Sequence, residues 1–180
     1  HLLSLFEAKF FASFIYCGAI LFSEFGFVNY SSKHRNASAA TLDQEATRQV
    51  NDQLFSMLWR FSDVFFARMQ LQLPRFEERP DVVEEYFYLL AKVLQHCPRQ
   101  FIEYSFTDGE VQAGVVPERL GRILQAGLLG LSITHKDAQK GVMNFIQKFI
   151  SAIRSVMHQV AGAAGAGPDA MLADKAKIFH

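Results

Sequence analysis

The stretch from Pro80 to Pro98, PDVVEEYFYLLAKVLQHCP, constrains the fold more than any other part of the chain. Val83, Phe87, Leu90, Leu94 and Cys97 recur at helical spacing, so one side of a helix here has to leave water. Glu84, Glu85, Lys92 and Gln95 fall on the opposite side. Asp81 is a suitable N-cap, Glu84 can complete a capping box with it, and Pro98 blocks continuation because its nitrogen has no proton to donate. A second segment follows the same plan. Thr134 is the expected cap, Asp137 follows three residues later, and Ala138, Val142, Phe145, Phe149, Ile153 and Val156 form the stripe. Two capped amphipathic helices with no strand pattern between them predict an all-α chain of stacked helices.

Composition narrows the function classes. A chain of 180 residues can bury roughly 70% of the surface it exposes when unfolded, enough for a sizeable core. Its 18 basic and 18 acidic residues balance, whereas a general nucleic-acid binder carries a basic excess. Cys17 and Cys97 lie far apart without a CxxC partner, which excludes a zinc framework and fits two buried thiols in a reducing compartment. Phe10 to Ser23 is uncharged, but it is shorter than the roughly 18 residues a membrane span requires and is closed by Lys9 and Glu24, so a buried helix is expected. The chain has no initiator Met and no signal-peptide layout and reads as a fragment. Asn29 and Asn36 stand in the short pattern that also marks glycosylation, a match that arises often by chance.

Punctuation residues divide the chain. Leu2 to Phe10 and Ala12 to Phe25 read as helices with a break between them, and residues 27–42 as an exposed, flexible loop. A long helix is expected over Asp43 to Leu73, with Val50, Leu54, Leu58, Phe61, Val64 and Phe65 along one side. Pro74 to Pro80 reads as a turn, Arg99 to Gly114 as mixed with a turn at Asp108-Gly109, and Val116 to Ser132 as a helix that Gly121, Gly127 and Gly130 weaken unless neighbours pack closely. The helix from Lys136 is expected to end near Val160. The run AGAAGAGP over 161–168 then acts as a linker rather than a phosphate loop, since no Gly-Lys-(Ser/Thr) follows it, and Asp169 to His180 forms a short closing helix. Antiparallel pairing across short turns gives about three helix-turn-helix repeats, over 11–73, 81–132 and 135–180.

Three blocks carry a resemblance. SFIYCGAILFSEFG (Ser13 to Gly26), PDVVEEYFYLLAKVLQHCP, and LGLSITHKDAQKGVMNFIQKFISA with its opening His135-Lys136-Asp137-Ala138 resemble, in this order, the C-terminal region of importin-β (karyopherin-β) family nuclear transport receptors, in the transportin-three and importin-thirteen branch. The resemblance covers Ser13 to about Gln159. It implies an α-solenoid of HEAT-type helix pairs in which each repeat buries its faces on its neighbours. It also implies protein cargo, control by Ran-GTP acting mainly through N-terminal repeats absent here, contact with nucleoporins, and shuttling between cytoplasm and nucleus. Neither a nucleic acid nor a membrane is an expected partner. The arginine-rich helix tied to serine/arginine-rich cargo in the transportin-three line has no counterpart in this chain, so cargo class and direction of transport stay open. A HEAT scaffold without Ran control is the alternative.

No catalytic, metal or cofactor pattern accompanies these features, and the expected function is binding. The histidines His34, His96, His135 and His158 lack metal-ligand spacing, and His96 and His135 suit capping or dipole roles at helix ends. No Gly-x-Ser-x-Gly elbow occurs. Glu77, Glu78, Asp81, Glu84 and Glu85 concentrate acid around one helix start, where they either complement the helix dipole or attract a basic cargo segment. In the related receptors the second helix of each repeat faces cargo. That pattern, carried over, makes Arg48, Asp52, Trp59 and Asp63 on the long helix, and Arg119, Arg122 and Gln125 on the later one, candidate partner contacts, with Trp59 expected to be an exposed anchor. A slice of solenoid exposes apolar faces at both ends, so the isolated chain is expected to be marginally stable or to self-associate; a cooperative, high-midpoint melt of a monomer in calorimetry would overturn this.

Overall fold

The computed structural model describes residues 2–25, 37–105 and 118–165, and among them the chain is almost entirely helical. These are α1 (Leu2–Lys9), α2 (Ala12–Phe25), α3 (Ala37–Met69), α4 (Leu73–Glu78), α5 (Pro80–His96), α6 (Pro98–Ser105), α7 (Glu118–Gly130) and α8 (Lys136–Gly165). The all-α class expected from the sequence is what the described residues show.

α5 is the centre of the packing, flanked by α2 and α8. Contacts along its length set the direction of both neighbours. Arg79, just before α5, donates to the Phe10 carbonyl ahead of α2 at 3.0 Å, and further along the Tyr16 and Tyr88 rings stack. On the other side Gly141 meets the Glu84 backbone, and a turn later Phe145 meets Phe87. α2, α5 and α8 therefore run side by side in one direction. α3 runs against α2, because Gly18 faces Phe61 while Phe22 faces the earlier Phe55. α7 likewise runs against α8, with Gly130 on Val142 and Gly127 on Phe145.

The core explains why α5 sits in the middle. Its stripe of Val83, Phe87, Leu90, Leu94 and Cys97 is buried as expected, but so are Val82, Tyr86, Leu89 and Val93. A helix apolar over more than one face needs neighbours on more than one side, and full burial of each such side chain contributes about 1.5–3 kcal/mol. One line of ring contacts crosses four elements: Phe76 of α4, Phe65 of α3, Tyr86 and Phe87 of α5, then Phe145 and Phe149 of α8. The Phe65 and Tyr86 rings stack with centroids 3.9 Å apart. Tyr86 is fully buried, so its hydroxyl needs a partner; it donates to Ser62 Oγ at 3.0 Å, and the Ser62 hydroxyl in turn donates to the Leu58 carbonyl at 2.9 Å.

Several local expectations are corrected. α5 has no capping box: the helix begins at Pro80, no side chain caps it, and Asp81 is drawn instead into an ion pair with Arg79 at 3.0 Å. Nor does Thr134 cap α8. Its backbone N–H and hydroxyl both donate to the Glu77 carboxylate, at 2.7 and 2.8 Å, and the His135 ring accepts the Ala138 N–H in its place. Pro74 to Glu78, expected as a turn, lies in α4, where Pro74 occupies a first-turn position that requires no N–H. α3 begins at Ala37 and closes at Met69, with Gln70 and Leu71 both at positive φ, so residues 37–42 are helical rather than loop. α8 runs through Ala161 to Gly165 instead of ending at Val160; alanine favours helix enough for the run to continue. Ile153 is exposed and Ala152 takes the buried position. Cys17 is exposed, on a side of α2 turned away from the packing of Gly18 and Ala19, whereas Cys97 is buried. Residues 27–36, the Asp108-Gly109 turn, Pro117 and the expected helix over Asp169 to His180 lie outside the described residues.

Two close approaches explain glycines that propensity disfavours. A Cβ on Gly141 would stand 3.2 Å from the Glu84 carbonyl oxygen, so glycine lets α8 lie against the α5 backbone. A Cβ on Gly130 would stand only 2.7 Å from Val142 Cγ2, and Val142 is buried and stiff about χ1. Gly130→Ala is therefore expected to lower stability by about 1–2 kcal/mol through overpacking. In a Val142→Ala background the same change is expected to raise stability, because the clash is gone and the helix-propensity gain of up to ~1 kcal/mol remains. A urea double-mutant cycle measures this reversal of sign.

Candidate functional site

A cleft of about 400 Å³ opens where α2, α5 and α8 meet, lined by Tyr16, Glu84, Glu85, Tyr88, Asp137, Lys140, Gly141 and Asn144. Helical spacing explains the set. Glu84, Glu85 and Tyr88 lie within one turn of α5, while Asp137, Lys140, Gly141 and Asn144 lie within two turns of α8. Tyr16 reaches in from α2 and stacks with Tyr88 at a centroid distance of 6.3 Å, and Lys92 lies over the Tyr88 ring at 5.3 Å. Lys140 is paired with Asp137 at 3.0 Å, and that proton donor holds the Asp137 carboxyl below its ordinary range.

Glu84 and Glu85 differ from the other acids of the region. Glu77 is bound by Thr134, Glu78 pairs with Arg75 at 3.2 Å, and Asp81 is held below its usual range by the Arg79 hydrogen bond. Glu85 has one carboxyl oxygen, Oε2, that is fully buried and has no hydrogen-bond partner among the described residues. Burial, followed by the neighbouring Glu84 charge, raises its pKa. The acid cluster legible in the sequence thus separates into three acids occupied in fixing the fold and two that face the cleft.

The candidates on the other helices fare unevenly. Trp59 is not an exposed anchor: it is 7% exposed, packs against Phe55 and Phe101, and lies beneath the Arg119 guanidinium at 5.4 Å. Its ring is large enough to fill the junction of α3, α6 and α7, which is the stronger demand on a side chain of that size. Arg122 lies over the Phe66 ring at 4.4 Å. Both arginines are half-buried, and their charge is spent in part on aromatic faces of α3. Arg48 and Asp52 are exposed and 4.0 Å apart, and Asp52 accepts the Tyr104 hydroxyl. Burial and the Asp52 carboxylate push the Tyr104 pKa up to about 12. Asp63 and Gln125 are exposed. Of these candidates, the cleft unites Glu84 and Glu85 alone.

Tyr16, Tyr88, Asp137, Lys140 and Asn144 were not foreseen as site residues. Tyr88, Asp137, Lys140 and Asn144 lie outside the stripes legible on α5 and α8, and Tyr16 lies on a segment read only as an apolar helix, but the pairing of these sides depends on which helices are adjacent and in which direction they run. No group of three or more potential metal ligands occurs among the described residues, and none of their helices is long and apolar enough to cross a membrane. Compared with known proteins, the chain matches no family model, no curated protein and no solved structure.

The raised pKa of Glu85 has a definite consequence for stability. The native state binds the Glu85 proton more tightly than the unfolded chain, so this group's favourable contribution is full below the unfolded pKa and is lost as pH rises through the folded one. Glu85→Gln is expected to be more stable than the wild type at pH 7, with the difference closing as pH falls through the carboxylate range. Thermal melts across pH 3.5 to 8 on both proteins measure it.

Proposed function

We propose that this chain is a segment of an α-solenoid nuclear transport receptor of the importin-β type, in the transportin-three and importin-thirteen branch. The observation that carries the reading is where the three resembling blocks fall. Ser13 to Phe25 of the first block lies in α2, Pro80 to His96 of the second is α5, and Lys136 to Ala152 of the third lies in α8, after its first residues close α7. These are the helices that run side by side in one direction, each on the next, with α3 and α7 running against them. A repeating helix-pair array supports that pattern, since equivalent helices of successive repeats stack in parallel. On this reading the receptor carries protein cargo through the pore in contact with nucleoporins, shuttles between cytoplasm and nucleus, and couples cargo affinity to Ran-GTP as a free energy shared between two sites.

The cleft is the cargo contact this reading favours within the described residues. A basic side chain entering between the tyrosines and the Glu84–Glu85 pair meets an aromatic face and two carboxylates, one with an oxygen that has no hydrogen-bond partner among the described residues. Such a ligand favours the ionised form of Glu85, so binding tightens as pH rises through its pKa.

Two measurements test the proposal. The full-length protein is immobilised, loaded from a cell extract and treated with Ran locked with GTP. Release of bound proteins supports an import receptor and Ran-dependent recruitment an export receptor, while indifference to Ran supports a scaffold and overturns the transport reading. For the cleft, an arginine-rich peptide is titrated by fluorescence anisotropy at low and physiological salt. Glu84→Gln/Glu85→Gln is expected to weaken binding by about tenfold at low salt and to flatten its salt dependence; unchanged binding moves the contact elsewhere.

A further inference from the structure

We draw no further inference here: the strongest candidate, the apolar edge of α7 and α8 formed by Leu128, Leu131, Met143 and Ile150, is an unpartnered helix face, and nothing in the structure shows what covers it.

Discussion

The stacking of Phe65 on Tyr86 is the contact on which the rest of the packing depends. It joins the long α3 to the central α5, and every other ring in the transverse line is placed relative to it. Phe76 packs edge-on against Phe65, which fixes the short α4, and Phe87 carries the line through Phe145 to α8. Offset and edge-on aromatic pairs add about 0.5–1.5 kcal/mol beyond the area they bury. The Tyr86 hydroxyl makes the arrangement directional, because only one depth of insertion brings it to Ser62. A phenol buried this deeply holds its proton well above the ordinary tyrosine pKa, so the bond to Ser62 stays a donor bond throughout the neutral range.

Part of this packing is legible in the sequence. Apolar spacing identified α3, α5 and α8 and named part of what they bury, among them Leu58, Phe61 and Phe65, Val83, Phe87 and Leu90, and Val142 and Phe145, because a period of 3.6 residues is a direct projection of burial onto sequence. The break after Lys9 was also legible, although the residue there is a phenylalanine at positive φ, with its ring buried and its carbonyl held by Arg79. Helix starts were read less well. Asp81 and Thr134 have the chemistry of N-caps, but each found a stronger electrostatic partner in Arg79 or Glu77, and those partners come from tertiary geometry or a short-range twist of the chain. The exposed positions of Cys17 and Ile153 were misread for a related reason: an apolar side chain in an apolar stretch says nothing about which neighbour is present to cover it.

The candidate site shows the same division between one helix and several. The acids at the end of α4 and the start of α5 stand in plain view in the sequence, and their proximity to a helix start follows from their numbering. Their sorting into structural and cleft-facing groups does not, because it is decided by Thr134, Arg75 and Arg79 acting from outside α5. Asp137 and Lys140 illustrate the converse. Their pairing is an ordinary contact between residues three apart on a helix, yet their place opposite Glu84 depends on the absence of a side chain at Gly141, which brings α8 against α5.

Burial of Trp59 gives the molecule an internal reporter. It is the only tryptophan of the chain, and its indole lies at the meeting of three helices, against Phe55 of its own helix and Phe101 of α6 and beneath Arg119 of α7. Near-ultraviolet emission therefore arises largely from one location, and its wavelength follows the polarity of that junction alone. Separation of α7 from α3 admits water to the indole and shifts the emission to the red, while fraying of α1 or of the far end of α8 leaves it unchanged. The chain thus carries an optical signal for movement between its helical layers that needs no added label.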